Sequence, residues 1–219
     1  MKEYKCHIVQ LALFFKNSQV QLDDLSSALR KRMAIGDFNT MIMPEVQGMP
    51  EEIPRLQITS PIGYRLTSSK VRLDFFIDLP LGVEAKDLEG FKENCNKLLG
   101  VLADFGCEYV RLGYVKTYFK SDEVPVQSFF EVAMKLPSEG LAEVQFNVTR
   151  KGNFDDYSYN DIFSFSTAYL NARRGLVAIR DLNTDIGIGL KSVPDVQKII
   201  DHFDVASSAA SIEGFLEGR

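Results

Sequence analysis

The chain has 219 residues, 45% of them hydrophobic and 25% charged, with a formal net charge of −5 at neutral pH. That balance belongs to a protein with a core of its own and lies far from the sparse, highly charged compositions that stay disordered. Two histidines, three cysteines and no tryptophan leave little material for a histidine-rich metal centre or a disulfide framework.

Cys6–Phe15 is apolar on both faces, with Val9, Leu11, Leu13 and Phe15 on one and Ile8, Ala12 and Phe14 on the other. This is the pattern of a strand in mid-sheet. It is far shorter than the roughly 20 apolar residues of a membrane span. The lysines at positions 2 and 5 precede no apolar segment with a small-residue cleavage site, so no signal peptide is read. Cys6, Cys95 and Cys107 share no C-x-x-C spacing, which suits a reducing, cytoplasmic location. Next comes a helix with Leu22, Leu25, Leu29 and Met33 as its core stripe. Asp23 and Asp24 in its first turn and Arg30, Lys31 and Arg32 in its last oppose the helix dipole.

Met41 and Met43, followed by Pro44, Gly48, Pro50 and Pro54, read as a short strand and a long irregular loop. Strands are expected at 55–59 and 64–67 around a turn at Pro61-Ile62-Gly63. After Ser68-Ser69 the alternation is clearest. Val71, Leu73, Phe75, Ile77 and Leu79 face one way, and Lys70, Arg72, Asp74, Phe76 and Asp78 the other, as in an antiparallel sheet with one wet face. Glu84–Phe105 is an amphipathic helix on Leu88, Phe91, Cys95, Leu98, Leu99 and Leu102, closed by Gly106. A strand over Glu108–Phe119 follows.

Ser121–Pro125 is polar, acidic and ends in proline, and the charge balance changes there, from +1 over residues 1–120 to −6 over 121–219. It is the expected boundary between an N-terminal half, 1–120, and an acidic C-terminal half, 121–219, which could still form one compact unit. Val126–Leu136 fits either strand or helix. Ala142–Arg150 alternates with Ala142, Val144, Phe146 and Val148 inward, and strands are expected at Ile162–Leu170, Leu176–Leu182 and Ile186–Leu190. Ser192-x-x-Asp195 has the form of a capping box before a helix on Val196, Ile199, Ile200 and Phe203, with a second helical piece toward Leu216. The expected fold is α+β, with mostly antiparallel sheets each backed by a long amphipathic helix, an order that allows two similar halves.

Asp181, Asn183 and Asp185 are spaced like the first ligands of a calcium loop. The sixth position, however, is Ile186 instead of glycine and the twelfth is Ser192 instead of glutamate. A turn through 183–185 accounts for the same residues, and no cofactor or metal is expected. Asp155, Asp156, Tyr157 and Tyr159 read as an acidic, aromatic loop suited to the rim of a protein interface. Arg55, Arg65, Lys70, Arg72, Arg111, Lys116 and Lys120, with Tyr64, Tyr114 and Tyr118, could make a basic sheet surface for single-stranded nucleic acid. Asp74 and Asp78 on the face of Arg72, and the negative net charge, oppose that use. His7 and His202 read as structural or surface residues, and Cys95, on a core stripe, as an inert thiol. A pocket lined by Phe146, Phe163, Phe165 and Phe203 would be the mark of a ligand-binding protein or metal-dependent hydrolase.

Pro54-Arg-Leu-Gln-Ile-Thr-Ser60 with Gly63-Tyr-Arg-Leu and Val71-Arg-Leu, and Val110-Arg-Leu-Gly-Tyr-Val115 after a long helix, resemble the central hairpins of a sporadically distributed, uncharacterised family of bacterial and archaeal proteins. The likeness covers about residues 54–119. It implies an accessory gene of a microbe or phage, in keeping with defence, counter-defence or immunity, and implies no catalytic residue. Together with the residue pattern it leads to a non-catalytic protein-interaction module. The expected partners are another protein and a second copy as a homodimer. The expected contacts are Arg72, Arg111, Lys116 and Tyr118 on the first sheet and Asp155, Asp156, Tyr157 and Tyr159 on the acidic loop.

Overall fold

The computed structural model describes residues 3–16, 20–83, 88–186 and 192–218. Its strands are β1 (Lys5–Phe15), β2 (Asn39–Ile42), β3 (Leu56–Thr59), β4 (Tyr64–Ser68), β5 (Arg72–Val83), β6 (Tyr109–Ser121), β7 (Gln145–Phe154), β8 (Tyr157–Leu170) and β9 (Arg173–Thr184). Helices α1 (Leu22–Arg32), α2 (Glu89–Asp104), α3 (Pro125–Gln127), α4 (Val193–Ala206) and α5 (Ala209–Leu216) accompany them, and α3 runs into a π-helix over Ser128–Ala133. No helix of the described residues is long and apolar enough to cross a membrane.

The strands form one antiparallel sheet in the order β2-β3-β4-β5-β1-β6-β9-β8-β7. Two separate sheets were expected from the sequence; instead β6 pairs with β1 on one side and β9 on the other. The expected boundary at 121–125 begins at the last residue of β6, and the halves join edge to edge. Period-two alternation gives a strand its two faces but not its neighbours. β1, apolar on both sides, takes the central place that its composition suggested, between β5 and β6.

Helices cover one face of this sheet. Phe91 of α2 stacks on Phe75 at 5.1 Å and leans on Tyr114. Ser207, the C-cap of α4, receives the Tyr118 hydroxyl on its carbonyl. Phe215 of α5 stacks on Phe163 at 4.2 Å, and Phe129 of the π-helix meets Phe146 and Phe165. All these sheet residues share one face, which carries the core: Leu11, Leu13, Leu73, Phe75, Leu112 and Tyr114 are completely buried.

Local signals account for most ends. Ser192 caps α4 by accepting from the Asp195 amide, and Gly106, at φ +68°, closes α2 in the left-handed conformation glycine adopts most readily. β5 runs on to Val83 and α2 spans Glu89–Asp104; positions 84–87 of the helix expected from Glu84 lie outside the described residues. The ambiguous 126–136 stretch is helical as far as Ala133, where the π-helix ends, and Ala142 lies outside β7 and is exposed. β8 and β9 are joined through Asn171 and Ala172, both left-handed (φ 50° and 64°), the requirement of a two-residue I′ hairpin. Of the strand expected at 186–190, only Ile186 is among the described residues, in a turn and exposed.

Candidate functional site

The opposite face of the sheet meets no helix in any of these contacts. Its centre is a row of charged and aromatic side chains set by strand register. Phe14 of β1 lies directly between Arg72 of β5 and Arg111 of β6, and both guanidinium groups stand over its ring, at 4.8 and 5.3 Å. Arg72 donates to Asp74 at 2.7 Å, as does Gln10. Arg111 donates to the Asn183 side chain at 2.6 Å, and Asn183 in turn donates to Asp181 at 3.0 Å. One strand further out Arg65 binds both oxygens of Asp78 and covers Phe76 at 4.8 Å. The next row across is low, since Ala12 pairs with Gly113 and Gly113 with Asn183. Arg65 and Arg72 each keep 42% of their side chains in solvent. The result is a shallow surface of stacked cations with aligned carboxylates, each held by a neighbour within the sheet.

Lys116 and Tyr118, expected beside Arg111, are on the other face. Lys116 is 1% exposed beneath α4. Its ammonium is 2.7 Å from a carboxylate oxygen of Asp204 and donates to the Asp204 carbonyl at 2.9 Å. Tyr114 donates to the same carboxylate at 2.9 Å, and Lys92 of α2 stands 3.7 Å away. Cys6 lies nearby, and burial pushes its thiol up to about 12 against the pull of Lys116, which leaves it a poor nucleophile at neutral pH. Position parity separates these residues: 111 is odd, 116 and 118 even, and a strand alternates faces. The same alternation, with its phase set by the register of each strand, places Phe14, Phe76, Asp74 and Asp78 on the open face.

Asp155 and Asp156 make the exposed turn between β7 and β8, with Asp155 at φ 49°. Tyr157 and Tyr159 belong to β8 and not to a loop. Tyr159 turns toward α4, where its hydroxyl is 3.3 Å from His202 Nε2. His202 stacks on Phe154 at 4.1 Å. Burial lowers the His202 pKa below 6.5, with Asp155 pulling the other way. Burial also lowers that of His7.

The turn expected at 183–185 is the end of β9, and Asn183 is buried. Asp181 and Asn183 share the open face, and the oxygens of this trio receive donors: Arg111 and Asn160 on Asn183, Asn183 on Asp181, and Lys151 on Asp185 at 2.7 Å. Among the described residues no three His, Cys, Asp or Glu side chains converge in a way that could hold a metal ion.

Among the described residues the four phenylalanines expected around a pocket pack against other rings and not around a common hollow. Phe146 and Phe165 close on Phe129, and Phe203 meets Tyr159 at 5.0 Å. Phe163 alone reaches a cleft of about 440 Å³ beside α5, whose wall also holds Arg150, Asp161, Arg180, Ser211 and Phe215. There Arg180, 5% exposed, is held by both oxygens of Asp161 at 2.6 and 2.8 Å and by Ser211 at 3.1 Å, over the Phe163 ring. A second hollow of about 630 Å³ lies between the start of α1 and the loop after β2, where Glu45 pairs with both Arg55 and Lys70.

No family model matches the chain, and no curated protein matches it.

Proposed function

We propose that this protein is a binding module that holds another protein against the uncovered face of its sheet. The observation that carries the reading is the Arg72–Phe14–Arg111 row, set among aligned carboxylates on a face that the helices leave free. Arginine and aromatic side chains held rigid in advance are the groups that dominate protein–protein binding energy. The charge balance favours protein over nucleic acid. Arg65, Arg72 and Arg111 stand beside Asp78, Asp74 and, through Asn183, Asp181, so few cations are left to neutralise phosphates. The Asp155-Asp156 turn lies at the far end of the β7–β8 hairpin and forms a separate, acidic contact.

The test is crosslinking capture with the wild type and with a Phe14→Ala/Arg111→Glu variant, followed by reconstitution of the purified pair. The expected result is a partner bound by the wild type and weakened by about 2 kcal/mol or more in the variant, the size of a hot-spot loss. Equal binding by both proteins sinks the reading. Tight binding of a labelled single-stranded DNA that collapses between 50 and 200 mM salt, on the order of the losses expected for several phosphate contacts, replaces it with the nucleic-acid reading. A native mass spectrum tests self-association: a dimer that the same substitutions dissociate assigns the face to a second copy.

A further inference from the structure

The open face is not the sole unpaired surface. β2, at one end of the sheet, is four residues long; β7, at the other, is ten. The amide of Thr167 donates to the carbonyl of Val144, and the β7–β8 register continues from there without a shift through Phe154. In an antiparallel ladder the backbone groups of alternate residues point to alternate sides. Val144 therefore sets the phase: the even residues of β7 bond to β8, and the N–H and C=O groups of Gln145, Asn147, Thr149, Lys151 and Asn153 point outward. Among the described residues no further strand covers them. A long edge of this kind is a template for another strand.

Side chains on the helix-covered side specify what it would take. Phe146 and Val148 are half-buried there, and Arg150 is exposed. Asp161 lies directly across from Arg150 on β8, but both of its oxygens are bound by Arg180. Arg150 is left over the rings of Phe215 and Phe163, at 4.8 and 5.5 Å, beside the 440 Å³ cleft. Glu213 also lines that cleft. Among the described residues Arg150 has no carboxylate partner. A second copy of β7 is a poor occupant. In the two symmetric registers that overlap the strand most fully, Arg150 meets its own copy either directly opposite or on the diagonal, where like charges repel.

We propose that β7 accepts an extended, acidic segment of a partner protein as a tenth, antiparallel strand. Its carboxylate stands opposite Arg150, and apolar side chains two and four residues later stand opposite Val148 and Phe146. These are non-hydrogen-bonded pairs, in which facing side chains approach most closely. The partner's backbone bonds to the outward groups of Asn147, Thr149 and Lys151. This site is separate from the Arg72–Phe14–Arg111 face, and either can fail without the other.

The probe is a fluorescein-labelled peptide, acetylated and amidated, of sequence Thr-Thr-Glu-Thr-Val-Thr-Val-Thr-Thr, titrated into the full chain. A version with lysine in place of glutamate serves as its control. Saturable binding is expected, weakened about tenfold or more by the lysine peptide or by Arg150→Glu. Arg150→Glu should in turn prefer the lysine peptide. Thr149→Pro removes one outward N–H without touching the β8 ladder. It should abolish binding while the thermal midpoint stays close to that of the wild type, and Asn147→Pro repeats the test one pair away. Three results overturn the proposal: no saturation at about 1 mM peptide, equal binding of the glutamate and lysine peptides, or unchanged binding by both folded proline variants. So does a wild-type dimer that Thr149→Pro turns into a monomer, because a second copy then occupies the edge.

Discussion

Asp204 gathers three groups from two elements: Lys116 and Tyr114 from β6 beneath it and Lys92 from α2 beside it. Its carboxylate is 18% exposed, whereas Lys116 is sealed at 1%. The two sides of this ion pair are therefore unequal. Asp204→Ala strands a buried ammonium and should cost about 3–5 kcal/mol in urea unfolding. Lys116→Met leaves the carboxylate with Tyr114, Lys92 and some water, and should cost distinctly less. Equal losses would mean that the pair, not the burial of its cation, sets the energy. The two imidazoles offer a direct pH test. Burial holds both below 6.5 in the fold, so the unfolded chain binds protons first. Their contribution to stability is complete above about pH 6.5 and is lost as the pH falls from there toward the folded values. Proton NMR should show two histidine titrations with midpoints under 6.5, and a midpoint above it would contradict the packing.

At the scale of elements, two contacts hold the C-terminal side. Phe129 is fully buried where the π-helix meets Phe146 and Phe165, and Phe129→Ala should cost about 3–5 kcal/mol in the same unfolding measurement. Tyr159 folds across Gly152, its partner on β7, so closely that an added Cβ would fall within its ring. Gly152→Ala should therefore push Tyr159 off His202, admit water and raise the His202 midpoint toward 6.5. An unmoved midpoint would show that the ring does not shield the imidazole. Much of this was legible in the sequence. The strand of alternating Leu73, Phe75 and Ile77, the capping serine of α4 and the glycine closing α2 are local signals, and the structure carries each of them, although β5 starts one residue after Val71. The π-helix was not legible, because Val126–Leu136 has no clean period of either kind. Nor was the end of β9, where Asn183 and Asp185 have turn chemistry but Asn183 is kept in the strand by Arg111 and Asn160.

For the whole molecule, the decisive contact is β6, which ties the two halves into one sheet. Unfolding should then be a single transition, with far-ultraviolet circular dichroism and tyrosine fluorescence superimposing along a urea titration. Two separated transitions would restore the boundary at 121–125 as a real division. The single sheet could not be read from strand patterns, since those patterns are equally satisfied by two sheets. Of the residues expected to bind, Arg72 and Arg111 meet on the open face, whereas Lys116 and Tyr118 hold α4. Period two contained that distinction, and residue type alone did not.

The central place of β1 bears on biosynthesis. Of the strands in this sheet β1 is made before the others and is apolar on both faces, and its two neighbours, β5 and β6, end near residues 83 and 121. At translation rates of about 5–20 residues per second, β1 waits roughly 5–20 s for the second of them. Over that interval its backbone and both apolar faces lack the strands that pair with it in the fold.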